Sequence, residues 1–252
     1  MTDADMRVVR PIVSLKKQVV DNLRAMITGG RFKPGDRLIE RELCEMLDVS
    51  RTLIREALSH LVVEGIVQLI PHRGPVVSTY TANEAKSIYE LRASLEEMAG
   101  ELFTLRASDT ERSELQNAFD DLKRVYRSKI DSDRMAAKAR FYRILAQGSH
   151  NPILLEMLGL LHGRVTMLRA ATLSQPGRLE KSLAELNDIV RGIEKRDAKA
   201  AGRACRRHVE NACAIATTIL MEAEQNGFDA GGKSRHSIAT RQKNIGKRRK
   251  VS

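Results

Sequence analysis

Aromatic side chains are scarce in this chain of 252 residues, at 4% of the total, and tryptophan is absent. A chain so poor in aromatics and rich in Ala, Leu, Glu and Arg favours a helix-rich protein. Cysteine is rare as well: Cys44, Cys205 and Cys213 make an odd number and form no CxxC pair. That argues against a disulfide framework or a zinc site, and reduced thiols fit a cytoplasmic setting. No stretch approaches the ~20 apolar residues of a membrane span, and the first residues lack the apolar run of a signal peptide. The expectation is a soluble cytoplasmic protein with no membrane partner. Enzyme signatures are missing too. There is no Gly-rich phosphate loop, no G-x-S-x-G and no H-E-x-x-H, and His150 and His162 have no evident carboxylate or nucleophile partner. The chain reads as a non-enzyme with no cofactor.

What is present begins with charge. The formal net charge is +11, but from Gln225 onward eight Lys/Arg face Asp229 alone, a net of +7. Residues 1–80 hold twelve Lys/Arg and ten Asp/Glu, so their net charge is only +2. The high isoelectric point is therefore weak support for nucleic-acid binding, and local clusters must decide. The tail over residues 225–252 lacks apolar periodicity and reads as disordered. Its Lys247-Arg248-Arg249-Lys250 run either adds salt-dependent phosphate contacts or is a solvated extension.

One such cluster lies in residues 49–61. As a helix, this stretch stacks Ile54, Ala57, Leu58 and Leu61 on one face and turns Arg51, Thr52 and Arg55 outward from its first turns. Ser50 stands where an N-cap belongs. By itself this is either a major-groove recognition helix or an ordinary amphipathic surface helix. Its flanks decide between them. After an arm over residues 1–11, the spacing of Leu15, Val19, Leu23, Met26 and Ile27 predicts a helix over 14–27, ended by Gly29-Gly30. A Pro34-Gly35 turn follows, then a short helix over 40–47 and a tight turn at Asp48-Val49-Ser50. Gly65 ends the next helix, and β-branched runs over 66–70 and 76–79, joined through Pro71–Pro75, predict a hairpin or wing. Two helices, a tight turn and a wing make a winged helix-turn-helix.

Residues 12–79 resemble the DNA-binding domain of the GntR superfamily of bacterial transcription regulators. The resemblance is carried by Pro34-Gly35-Asp36-Arg37-Leu38, Glu40-Arg41-Glu42-Leu43, Val49-Ser50-Arg51, Arg55-Glu56-Ala57-Leu58, Leu61, Glu64-Gly65 and Arg73-Gly74. It implies that Arg41, Arg51, Thr52 and Arg55 meet operator DNA together with the wing tip, Arg73 and Gly74. Leu53 stands where some members carry a second threonine. For Arg41 the alternative is a surface ion pair with Glu45, and for Thr52 a plain first-turn role.

From Thr81 onward the pattern is helical throughout, with segments near 82–105, 109–129, 134–148, 152–172, 178–196 and 198–223. Breaks fall at Ser108-Asp109, Asp131-Ser132-Asp133, Asn151-Pro152 and Pro176-Gly177. The fold class is mainly α: an N-terminal winged helix-turn-helix over residues 12–80, then an all-α antiparallel bundle over 81–224. The bundle resembles the FadR C-terminal domain, through Leu91-Arg92, Leu95-Glu96, Phe141, Asn151-Pro152, Leu154-Leu155, Ile189, Ile193, Asp197 and His208. The resemblance implies effector binding and dimerisation. Many such domains hold a divalent metal through an Asp-x-x-x-His pair and two later histidines. Those positions align here with Lys138, Tyr142, Leu186 and His208. An ammonium beside one imidazole makes a poor metal site, so no metal is expected.

With the resemblance as guide, Arg92, Lys138, Tyr142 and His208 would converge on one cavity and suit a carboxylate or phosphate effector. The alternative is a satisfied core or surface His208 and a solvated Lys138. The expected protein is a dimeric repressor that binds double-stranded operator DNA and is released by a small organic acid. The competing reading is a DNA-binding accessory protein whose bundle is purely structural.

Overall fold

The structure is a computed structural model that describes residues 15–126, 131–173, 175, 177–225 and 227. The sequence expectations for the arm over 1–11, for Pro176 and for nearly all of the tail lie outside the described residues. The N-terminal head contains α1 (Leu15–Thr28), α2 (Glu40–Leu47), α3 (Arg51–Val63), β1 (Val67–Ile70) and β2 (Gly74–Val77). Its core is the apolar stripe read from the sequence: Val19, Leu23 and Ile27 of α1 meet Leu43 of α2 and Ile54, Leu58 and Leu61 of α3. Truncating a fully buried leucine such as Leu61 to alanine costs about 2–5 kcal/mol. Ser50 caps α3, its hydroxyl accepting from the Leu53 amide at 3.3 Å. Asp48 takes the left-handed conformation between α2 and α3, φ 51°.

The wing departs from the reading at its second strand. Gly74 and Pro75 belong to β2, not to the turn, and pair with Ile70 and Leu69. Proline is tolerated there because the other edge of β2 needs only its carbonyl, which accepts from the Leu38 amide at 2.9 Å. Two more bonds, Gly35 N to Val77 O and Val77 N to Asp36 O, both 2.9 Å, stitch the Pro34-Gly35 turn to the wing. Gly65, at φ +74°, ends the turn after α3.

The bundle comprises α4 (Ala82–Arg106), α5 (Asp109–Tyr126), α6 (Asp131–Gln147), α7 (Pro152–Leu173), α8 (Arg178–Glu194) and α9 (Ala198–Gln225). Thr81 and Glu84 form a reciprocal capping box at the start of α4. Asn151 caps α7 through its Oδ1, 3.1 Å from the Leu154 amide, with Pro152 in the first turn. The expected break at Asp131-Ser132-Asp133 is instead the first turn of α6. Acidic and hydroxyl residues that look like a loop in sequence are also the residues favoured at a helix N-terminus. The core runs between α4, α5, α6, α8 and α9, around Phe103, Phe119, Leu122, Phe141, Ile189 and Cys205.

Head and bundle meet on α7. A Cβ placed on Gly163 would lie 2.3 Å from the Glu64 carbonyl oxygen and 2.9 Å from Ile66 Cγ1. Glycine is what allows the two backbones to approach this closely. Met167, one turn on, packs against the core of the head. Tyr80 seals the same seam, its hydroxyl donating to the Gly65 carbonyl.

Candidate functional site

The first site is the exposed face of the head. Arg51, Thr52 and Arg55 are all exposed along the first turns of α3, while Ile54, Ala57 and Leu58 face inward. Arg55 is not a loose side chain. Its Nε sits 2.9 Å from both carboxylate oxygens of Glu40, at the start of α2. This pairing fixes the direction of the guanidinium and holds it charged, leaving its outer N–H groups for another acceptor. Arg41 is exposed and its Nε is 4.0 Å from Glu45, so the ion-pair alternative is present as a loose contact. At this distance and exposure it adds little to stability.

In the wing, Gly74 lies at φ +81° with open space where a side chain would project. Arg73 folds back from the tip, and its Nη2 donates to the Gly35 carbonyl at 3.0 Å. It thereby ties the wing to the turn before α2.

The second site is a cavity of about 450 Å³ between α4, α6 and α7. Its inner end is polar. Arg92 and Glu96 pair at 2.6 Å on adjacent turns of α4, both buried, yet Arg92 Nη2 and Glu96 Oε2 have no hydrogen-bond partner. The buried Tyr142 hydroxyl has none either. The Tyr142 ring is flanked by two guanidinium groups, Arg92 at 5.4 Å and Arg169 at 5.2 Å from its centroid. Burial, opposed by Glu96 and two tyrosines, leaves the Arg92 guanidinium more firmly protonated than usual.

Of the four residues expected at an effector site, Arg92 and Tyr142 line this cavity, and Lys138 and His208 do not. Both lie in a buried layer beside it. Lys138 is 3% exposed, far from solvated, and donates to Ser182 Oγ at 2.9 Å. Burial, reinforced by Arg169, Arg92 and Arg178, pushes its ammonium well below the usual lysine range. His208 Nδ1 is 2.5 Å from Glu185 Oε2. Glu185 also receives both guanidinium nitrogens of Arg178, each at 2.8 Å, and the Asn211 amide at 2.8 Å. Burial lowers the His208 imidazole to about 3. Burial also opposes ionisation of Glu185, but bonds from His208 and Arg178 overcome it and hold the carboxyl at about 2. At neutral pH a neutral imidazole donates Nδ1–H to an ionised carboxylate.

Leu186 is fully buried in the apolar core, and Glu185 is the residue that reaches His208. One residue along a helix turns its face by about 100°. The donor set does not fit the divalent ion of related bundles. Lys138 brings an ammonium, Glu185 is consumed by Arg178, and the His208 nitrogen facing the cluster is taken by Glu185. Among the described residues, no three His, Cys, Asp or Glu side chains are grouped to hold a metal.

The reading of the sequence missed Glu96, Arg169, Arg178, Ser182 and Glu185. Arg169 carried a signal, being a lone charge after Val165-Thr166-Met167-Leu168. So did Arg178 and Glu185, an opposite-charge pair seven residues apart on one helix face. α7 connects the two sites. Leu158, Val165 and Arg169 face the cavity, and Gly163 and Met167 face the head.

Known proteins share both halves. Residues 15–77 match the model for bacterial regulatory proteins of the gntR family, and residues 87–211 match the FCD domain. The chain is 28% identical over 210 residues to an uncharacterized HTH-type transcriptional regulator, YdhC, of Bacillus subtilis, which spans 83% of this chain and 94% of that one. It is 32% identical over 154 residues to the HTH-type transcriptional regulator McbR of Escherichia coli, 61% of this chain and 69% of the relative. The solved structure of E. coli McbR/YncC superposes with a TM-score of 0.69 at 25% identity, covering 84% of this chain and all of that one. Among the described residues no helix is long and apolar enough to cross a membrane. With a capped, basic-faced α3 beside a glycine-tipped wing, and a cavity-bearing bundle behind them, the chain belongs to the gntR family of bacterial regulatory proteins: a ligand-responsive, DNA-binding transcription regulator with an FCD effector domain.

Proposed function

We propose that the protein is a homodimeric cytoplasmic repressor, not a catalyst, that leaves its operator when a small organic acid enters the bundle. It divides into a DNA-binding unit, residues 12–80, and an effector-binding and dimerisation unit, residues 81–224. The observation that carries the effector half is the inner end of the cavity. Arg92 Nη2 and the Tyr142 hydroxyl are buried there without partners, beside the Arg169 guanidinium. Buried donors left unsatisfied are costly, and an arriving carboxylate satisfies them. Lys138 and His208 act from the layer behind, holding this wall in place.

On the DNA side, Arg51 and Thr52 read base edges from the start of α3, with Arg55 oriented by Glu40. Arg41 and the Gly74 backbone meet phosphates, and Arg73 holds the wing in position. Dimerisation is supported by exposed apolar side chains at helical spacing on two packed helices: Leu91, Met98 and Leu105 on α4, and Ile153, Met157 and Leu160 on α7. A two-fold dimer presents two recognition helices to matched half-sites. An acid that displaces α7 alters the seat of the head at Gly163 and with it the spacing of the two heads.

Thermal-shift screening of carboxylates, followed by operator titration with and without the best binder, tests this reading. Expected are a concentration-dependent rise in Tm and weakened operator binding. A panel of acids none of which raises Tm would refute the effector role.

A further inference from the structure

The last helix of the bundle ends beside the wing, and the basic tail begins there. We propose that residues 228–252 are a second DNA-contacting element, which grips phosphates flanking the site read by α3. The inference rests on the reading above in which the head faces duplex DNA.

Two observations carry it. The first is where the tail is rooted. The last turns of α9 and the wing line one cavity of about 510 Å³, with Leu220, Ala223 and Glu224 on one side and Ile70, Arg73 and Val76 on the other. Glu224 Oε1 also accepts from the Ala82 amide at 2.9 Å, which pins the end of α9 at the junction of head and bundle. The chain therefore leaves α9 at the end that meets the DNA-binding head. The first residues of α9 lie about 40 Å away, at 1.5 Å per residue.

The second is where the charge lies. Residues 1–80 have a net charge of only +2, whereas the 25 residues after Gly227 hold eight Lys/Arg and one Asp, a net of +7 out of +11 for the whole chain. Affinity for DNA of any sequence comes from cations that displace counterions from phosphates, so the larger share of it belongs to the tail. Twenty-five residues reach about 38 Å even as a helix and about 80–90 Å fully extended, enough to follow the DNA backbone beyond the wing. No aromatic follows Phe228. The tail thus lacks a platform for stacking on unpaired bases, and a duplex backbone is the partner that matches it.

Anisotropy titrations of the full-length protein on unselected duplex and on operator, across a salt series, compare two variants with the same change in charge. One is Lys247→Gln/Arg248→Gln/Arg249→Gln/Lys250→Gln. The control is Lys195→Gln/Lys199→Gln/Arg203→Gln/Arg207→Gln, four exposed positions toward the far end of α9. Four lost phosphate contacts reduce the slope of log affinity against log salt by about 3.6, at ~0.9 per contact. The tail variant is expected to show that reduction and to bind unselected duplex at least tenfold more weakly at low salt. Its preference for operator over unselected duplex should hold within threefold, because phosphate contacts carry no base sequence. The control is expected to lose less than about one contact's worth of slope. An unchanged slope in the tail variant, or an equal reduction in the control, overturns the inference. Arg51→Ala tests the head separately: wild-type operator affinity in that variant overturns the head reading itself. A loss there beside no loss in the tail variant overturns the role of the tail alone.

Discussion

Alanine at Gly163 and alanine at Gly159 make a contrast within one helix. Both sites lie on α7, and both substitutions raise intrinsic helix propensity by about 1 kcal/mol. At Gly159 the added methyl meets nothing within 4 Å, so Gly159→Ala should stabilise by roughly that amount. At Gly163 the methyl would sit 2.3 Å from the Glu64 carbonyl and 3.0 Å from Glu64 Cβ. A backbone oxygen cannot swing aside like a side chain, so α7 and the head must separate by about an ångström. Overpacking of this kind costs about 1–3 kcal/mol and exceeds the propensity gain. Calorimetric melting should then place Gly163→Ala about 2–12 °C below Gly159→Ala, at roughly 2–4 °C per kcal/mol for a chain of this length.

The functional consequence separates this seam from ordinary packing. Coupling between effector and operator sites is typically worth about 1–3 kcal/mol. Anisotropy titrations with labelled operator, with and without effector, should show Gly163→Ala losing most of that coupling while effector affinity itself holds within threefold. Coupling equal to wild type in a folded Gly163→Ala protein would refute the idea that α7 transmits the signal.

Other outcomes follow from the same geometry. Replacing Arg51 with Ala should cost specific operator affinity about 1–3 kcal/mol and leave Tm unchanged, because the side chain is exposed. Glu40→Gln should weaken operator binding less than Arg55→Ala does, since it loosens the Arg55 guanidinium without removing it; a Glu40→Gln loss equal to that of Arg55→Ala would refute a purely orienting role. Met98→Glu on the exposed α4 stripe should shift sedimentation from dimer to monomer. Acidification has a defined sign. Folding holds His208 at about 3, below the usual 6.5, so between those values the unfolded chain binds a proton that the folded chain does not. Stability therefore falls as pH drops below about 6.5, with a slope approaching ~1.4 kcal/mol per pH unit, and Glu185 adds to the loss below its ordinary 4.5. His208→Gln should flatten the melting profile between pH 6.5 and 5; an unchanged slope would contradict the pairing.

Much of the fold was legible because periodicity and punctuation agree along the chain. The stripe of Ile54, Leu58 and Leu61, the Ser50 cap and the Gly65 stop place α3 within a residue or two of its observed ends. Residue types that serve two purposes misled at Asp131–Asp133, where loop-like residues start a helix. The sites were legible only where one element supplies the chemistry. Arg51, Thr52 and Arg55 share a helix face, which a 3.6-residue repeat reveals. Arg73 meets Gly35 across 38 residues, and no local pattern anticipates that bond. The buried layer around Glu185 joins α8 to α9 across 23 residues, and no local pattern anticipates that contact. Lys138 reads as a cavity residue through the family resemblance, or as a solvated one because lysine usually is. Its burial reflects the helices that cover it, which no window around residue 138 contains.

The central claim is that two copies of α3 read a two-fold site in duplex DNA. Selection of bound sequences from random duplexes by the full-length protein, followed by titration of the Arg51→Ala/Arg55→Ala variant on the selected site, measures it directly. The expected result is a pseudo-palindrome with two half-sites about one helical turn apart or a multiple of it, and a variant that binds it no better than unselected DNA. Recovery of no common sequence, or wild-type affinity in the double variant, would contradict the account.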